Sequence, residues 1–418
     1  MEKSGKFRLT SLERNWILYD VGNSAFVLMV ATLIPIFFNA LAAAGGLSSV
    51  EYLAYWGYAS SAVTIITAVL SPILGTVADT KGFKKPIFIL CVFVGIVGCC
   101  AMGAVSAWLP FLVIFVIAKV GFSGSLVFYD SMLSDVTTPE RMDEVSSRGY
   151  AWGYIGSCVP FVVCLGLVLG AGSIGISQMT ALNLALLLTA AWWLLTTLPL
   201  LKSYKQFYYV EVEKHAVRQS FARIGHTLRH LPEDKQVFWF LLAFFCYIDG
   251  VYTIIDMATA YGTALGLDTT GLLLALLVTQ IVAFPSALIF GRLSNKYPSA
   301  KLIPVCIAAY AGIAVFAFFL TQQWQFWVLA VIVGMFQGGV QALSRSHFAK
   351  IIPPEKSGEY FGLFDICGKG ASFLGTMIVS VGSQLTGSAN VGVGSLIVLF
   401  IVGFVLFRVS CKKEVVPE

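Results

Sequence analysis

Twelve runs of apolar residues follow one another along the chain, separated by polar breaks. They lie approximately at 16–43, 51–78, 86–106, 108–134, 146–171, 178–200, 236–264, 269–294, 301–321, 325–350, 358–385 and 390–409. A membrane helix needs roughly 20 apolar residues, so each run predicts one span. Only one break is long and polar, 202–234. It divides the chain into a predicted N-terminal six-helix bundle (1–201), a linker (202–234) and a C-terminal six-helix bundle (235–418). Within the linker, Val217, Phe221, Ile224 and Leu228 alternate with Arg218, Arg223 and Arg229. That pattern predicts a short amphipathic helix at the membrane surface, read as a plain connector with a regulatory role as the alternative.

Composition supports the spans. Of 418 residues, 58% are hydrophobic and only 12% charged, against about 25% charged in water-soluble domains. The formal net charge of +5 is therefore read as cytosol-facing loops rather than a nucleic-acid surface. Lys3, Lys6, Arg8 and Arg14 precede the first run, Lys81, Lys84 and Lys85 follow the second, and Arg141 and Arg148 flank the fourth-to-fifth turn. Basic residues from Lys202 to Lys235, then Arg292, Lys296, Lys301, Lys350, Lys356, Arg408, Lys412 and Lys413, fall on the same side. The opposite loops at 44–50, 106–108, 171–178, 321–325 and 385–390 contain no Lys or Arg. Both termini are thus predicted to be cytosolic. The N-terminal stretch is polar and the run after it is too long for a signal peptide, so that run is expected to remain as the first span. Nine cysteines, without any C-x-x-C pair, argue against disulfide or zinc frameworks.

The two halves repeat. A shift of 215 places Pro139-Glu140-Arg141 on Pro354-Glu355-Lys356, Gly124 on Gly339, Asp130 on Arg345, Asp135 on Lys350 and Gly153 on Gly368. The second run ends in Gly75…Asp79…Gly82…Lys84, and the eighth in Gly291…Asn295-Lys296. Twelve spans, a central cytosolic loop and this repeated turn predict the major facilitator architecture, an all-α membrane fold of two pseudo-symmetric six-helix bundles. The Gly75–Lys84 turn resembles that superfamily's signature, with Thr80 and Phe83 where basic residues are common. A small residue lets helices approach there, while the carboxylate can face a helix N-terminus or a cation and so bias one conformation.

Longer motifs narrow the resemblance. GGVQALSRSHFAKIIPPEK and EYFGLFDICGKGASFLG in spans ten and eleven, NWILYDVGNSAFVLMVATLIPIFF in span one and FFCYIDGVYTIIDMA in span seven resemble the "unknown major facilitator" family. The fungal vacuolar amino-acid effluxers of the autophagy pathway belong to it as well. The resemblance covers nearly the whole chain and implies a solute transporter without supplying the substrate.

Charges at membrane depth are costly and point to function. Lys119, Asp249 and Lys369 fall near the midplane of spans four, seven and eleven. Asp365 lies one helical turn before Lys369, so the two either neutralise each other or serve separately. In the second case Lys119 and Lys369 face an anionic solute group while Asp249 receives a cationic group or a proton, and Asp365 is counted with the candidate substrate site. Gln337, Gln341 and Tyr252 complete the candidate substrate site. Asp20, Asp249 and Asp256 are candidate proton carriers, although for Asp20 the first reading is a structural pair with Arg148, with the titratable carboxylate as the alternative. Asp79, Asp130, Arg148 and Arg345 are candidate gating residues, with Asp130 and Arg345 expected to clasp the halves. His347 is read as structural. No nucleotide loop, zincin or hydrolase motif is present, so no catalysis, metal or cofactor is implied.

The expectation is a secondary transporter for a small carboxylate-bearing or zwitterionic, amino-acid-like solute, coupled to protons. It is expected to be a monomer among membrane lipids, in the inner membrane if bacterial. A receptor-like scaffold and a lipid translocator are the alternatives.

Overall fold

The computed structural model describes residues 7–211, 225–227 and 229–412, with side chains at 49–50, 53, 259–260, 264, 269–270, 273 and 369–373 excepted. The expected amphipathic linker helix, with Val217, Phe221, Ile224 and Leu228, lies outside the described residues.

The apolar runs become helices: α1 (Ser11–Ala44), α2 (Ser49–Ala78), α3 (Lys84–Met102), α4 (Trp108–Ser131), α5 (Met142–Leu169), α6 (Gln178–Ser203), α7 (Lys235–Ala264), α8 (Thr269–Leu293), α9 (Ser299–Phe318), α10 (Gln323–Ile351), α11 (Ser357–Thr386) and α12 (Ala389–Ser410). Among the described residues, eleven of these are long and apolar enough to cross a membrane. The twelfth, α11, is thirty residues long, or about 45 Å at the usual helical rise. No strand forms among the described residues; the one bridge pairs Thr80 with Val210. The protein is an integral, multi-pass membrane protein of helical bundles.

Local sequence sets the ends and breaks. Thr10 and Glu13 form a capping box that starts α1, and Ser48 and Glu51 do the same for α2, satisfying N–H groups a helix start leaves open. The helix of α1 breaks at Thr32, whose backbone departs to φ −131°, ψ −75°. Pro35 follows, with no N–H to donate one turn back. The basic residues flank the helix ends of one face, which defines the basic side used below.

Within each half, helices pack through small residues and aromatic rings. A Cβ on Gly98 would stand 2.6 Å from that of Ala118, and one on Gly121 only 2.8 Å from the Cys91 carbonyl. Such residues let α3 and α4 approach closely, which is how membrane helices associate without a hydrophobic drive. The halves meet through α2 with α11, α5 with α8 and α10, and α4 with α11.

Candidate functional site between the bundles

The contacts that join the halves gather on the basic side. Among the described side chains of α11 they run from Ser357 to Asp365, in its first turns. Lys84 Nζ donates to Ser357 Oγ at 2.8 Å, and Ser71 Oγ donates to Asp365 at 2.8 Å. Asp79 accepts from the Gly358 and Glu359 amides at 2.7 and 2.8 Å. These are open N–H groups at the start of α11, where a carboxylate also meets the positive end of the helix dipole.

Glycine makes that latch possible. A Cβ on Gly75 would collide with the Gly358 carbonyl, and one on Gly358 would sit 2.6 Å from the Gly75 carbonyl. The cation of this turn is Lys84, fully buried, 3.7 Å from Asp79 and 3.5 Å from Asp135. Lys84 thus holds charge that Thr80 and Phe83 do not. Burial pushes the Asp79 carboxyl up to about 7, against the lowering pull of Lys84 and the two amides.

A second junction centres on Arg345, which α10 sends into the first bundle. Its guanidinium meets Asp130 at 2.9 Å and Asp20 at 3.6 Å, and donates to Ser146 Oγ and the Ser146 carbonyl at 2.9 and 3.0 Å. The rings of Trp16, Tyr129 and Tyr150 lie 4.7, 5.4 and 4.3 Å from its central carbon. The side chain is 2% exposed. Around it, Ser346 donates to Asp143 at 2.6 Å and Lys350 pairs with Asp143 at 2.6 Å. Asn295 donates to Glu144 at 2.8 Å, and Tyr154 donates to Gln341 at 3.1 Å. All of these cross between bundles.

Several expectations need revision. Arg148 does not pair with Asp20: it binds Glu144 one turn earlier at 2.6 Å, the nearer carboxylate on its own helix, and the cation facing Asp20 is Arg345. Asp249 does not face the space between bundles. It is fully buried, and its Oδ1 accepts from the Gly375 amide at 2.9 Å and from Thr253 at 3.3 Å, contacts within the second bundle. Lys369 falls outside the described residues, so its pairing with Asp365 does too. Gln337 is buried, and it lines a small apolar cavity of about 60 Å³ inside the second bundle with Gln280, Thr253 and Phe326. His347 contacts Ser299 at 3.1 Å and packs against Phe240 and Phe407.

Toward the other side, Asp256 on α7 is exposed and Lys119 on α4 half-buried. The two belong to different bundles and lie within electrostatic reach of each other. Tyr252 lies within electrostatic reach of Asp130, Asp256, Asp365 and Arg345.

Other residues escaped the sequence reading. Glu13 anchors Arg141 and Thr137 at 2.7 and 2.6 Å, and Asp135 holds Lys84. The 215-residue repeat, which pairs Asp135 with Lys350, carried a signal for Asp135. Of the three rings around Arg345, the sequence offers Tyr129 as a candidate cavity aromatic, but nothing in the pattern marks Trp16 or Tyr150, because the three come together from spans one, four and five.

The family model "Vacuole effluxer Atg22 like" matches residues 45–414. "Uncharacterized MFS-type transporter YxiO" of Bacillus subtilis (strain 168) is 42% identical over 404 residues, 96% of this chain and 94% of that protein. "Autophagy-related protein 22" of Coccidioides immitis (strain RS) is 25% identical over 64% of this chain. The chain spans about half the length of that fungal relative, 51%. Among solved structures, the human organic anion transporter MFSD10 (TETRAN) superposes with a TM-score of 0.73 at 14% identity, covering 94% of this chain and 99% of that one. That likeness supports the fold alone, whereas the family model and the bacterial relative extend to nearly the whole chain. The protein belongs to the vacuole effluxer Atg22-like family of major facilitator transporters, and is not an enzyme.

Proposed function

We propose that this transporter moves a small carboxylate-bearing or zwitterionic solute by alternating access, with protons as the coupling ion. The carrying observation is the placement of contacts between the bundles: they close the basic side, while Lys119 and Asp256 stand on different bundles toward the other. A carboxylate meeting Lys119 and an ammonium meeting Asp256 would bridge the halves, so that binding favours their closure. Polar groups embedded in apolar spans at this depth support a polar cargo. Asp20 and Asp130, beside Arg345, are the carboxylates best placed to couple protonation to release of the gate, and Asp249 stands as a separate proton site in the second bundle.

The test is transport by purified protein in proteoliposomes, with solutes chosen by a thermal-shift screen of amino acids, peptides, nucleosides and organic anions. Lys119→Ala and Asp256→Asn should each raise KM about 10–100-fold, as expected for losing a hydrogen bond to a charged group. Unchanged KM in both would sink the substrate site. Equal rates with and without a pH gradient would remove proton coupling and leave facilitated transport standing.

A further inference from the structure

Arg345 is held as a bound ligand would be held. Its guanidinium enters a pocket built entirely by the first bundle: Trp16 and Asp20 from α1, Tyr129 and Asp130 from α4, Ser146 and Tyr150 from α5. Trp16, Tyr129 and Ser146 are fully buried, and Trp16 stacks on Tyr129 with centroids 4.4 Å apart. Aromatic rings and two carboxylates together form a receptor for a planar organic cation. Arg345 leaves part of it unused. Asp20 is 7% exposed, and its Oδ2 has no hydrogen bond, facing the guanidinium only as an ion pair at 3.6 Å.

Arg345 reaches this pocket from the other bundle, so separating the bundles on the basic side must withdraw it. Asp20 and Asp130 then stand close together beside the rings without their cation, two like charges whose repulsion a cation would relieve. A cation of similar shape would restore the balance.

We propose that this pocket is a cation site of the cytosol-open protein, which takes the guanidinium or primary ammonium group of an organic solute when Arg345 leaves. Arg345 then acts as a tethered competitor. Its return expels the solute cation and reseals the basic side, while solute on that side holds the gate open. The inference rests on the alternating-access reading and adds to it a site on the first bundle, distinct from Lys119 and Asp256.

The experiment uses the purified full-length protein with Arg345→Ala and follows thermal unfolding with methylguanidinium, ethylammonium or sodium chloride at equal ionic strength. Methylguanidinium or ethylammonium should raise the Tm of Arg345→Ala by about 3 °C and leave the wild type unmoved. Adding Asp130→Asn to Arg345→Ala should abolish the shift. Equal shifts in wild type and variant, an equal shift with sodium, or none with either organic cation would overturn the site. So would stabilisation of the variant by acid alone with no further gain from the organic cations, because protons would then fill the carboxylates. If Arg345→Ala does not fold, Arg345→Gln, which keeps most of the packing volume, takes its place with the same outcomes.

Alternating access is scored separately. Ser147 is fully buried, and a Cβ on Gly291 of the other bundle would stand 2.8 Å from its own. In Ser147→Cys protein, an impermeant maleimide applied from the basic side should label more when Arg345→Ala is added. Unchanged labelling would remove the gating role whatever the cations do.

Discussion

At the residue scale, the buried charges divide into those that join the bundles and those that do not. Arg345 and Asp130 occupy equivalent positions in the two halves, and the structure brings them to 2.9 Å. Asp130→Asn leaves Arg345 buried with weakened compensation. Removing one member of a buried pair typically costs about 3–5 kcal/mol, so this variant should loosen the contacts on the basic side, measured as faster maleimide labelling of Ser147→Cys. Asp79 adds a pH dependence with a definite sign. Its carboxyl titrates at about 7 in this sealed state, and an exposed aspartate near 3.9. The sealed state therefore binds more protons between these values. It should be favoured as the pH on the basic side falls below about 7 and disfavoured as it rises through that value. Lys84, Asp135 and Glu359 share this environment, and Asp79→Asn should flatten the labelling-versus-pH curve. An unchanged curve in Asp79→Asn would assign the dependence to another group.

At the element scale, the turn after α2 is tied both to α11 and to the start of the linker. Asp135 accepts from Tyr204 Oη at 2.6 Å and from the Phe207 and Tyr208 amides, each at 2.9 Å. The Val210 amide donates to the Asp79 carbonyl at 2.8 Å, and Gln206 donates to the Ala78 carbonyl at 3.1 Å. Residues 204–211 thus strap the turn that carries the latch. Asp135→Ala should release this strap, read as faster hydrogen exchange at Phe207 and Tyr208 and a lower Tm; each buried donor left unpaired costs about 1–3 kcal/mol. The glycine contact between α2 and α11 gives a different variant. Gly358→Ala should preserve folding, because the clash lies between bundles, yet prevent close sealing and so reduce transport with increased labelling from the basic side. A Gly358→Ala protein that transports normally would show that the close approach is dispensable.

At the scale of the whole molecule, the chain itself determined the class of fold, because a bilayer admits so few solutions. Runs of about 20 apolar residues must become helices whose backbone groups are satisfied internally. Lys and Arg placement predicted one basic side, and the 215-residue repeat predicted two related bundles. The same repeat brought Asp130 and Arg345 together before any contact was known, since pseudo-symmetric positions near one membrane face meet across the axis. Burial and direction were not readable. Asp249, Asp256 and Lys119 all look alike as charges in apolar runs, yet Asp249 turns into its own bundle and Asp256 is exposed. A helical turn points a side chain every 100°, and an apolar span surrounded by lipid and by other apolar spans shows no polar face to fix its rotation. Arg148 chose Glu144 over Asp20 for the same reason: the partner four residues away is guaranteed by the helix, whereas a partner on another span depends on how the spans rotate and cross. Sequence thus determined the spans and the pseudo-symmetric pairing. Only tertiary structure decided which charges face one another, because that depends on helix rotation, and it alone assembled three rings and two carboxylates from three helices around one arginine.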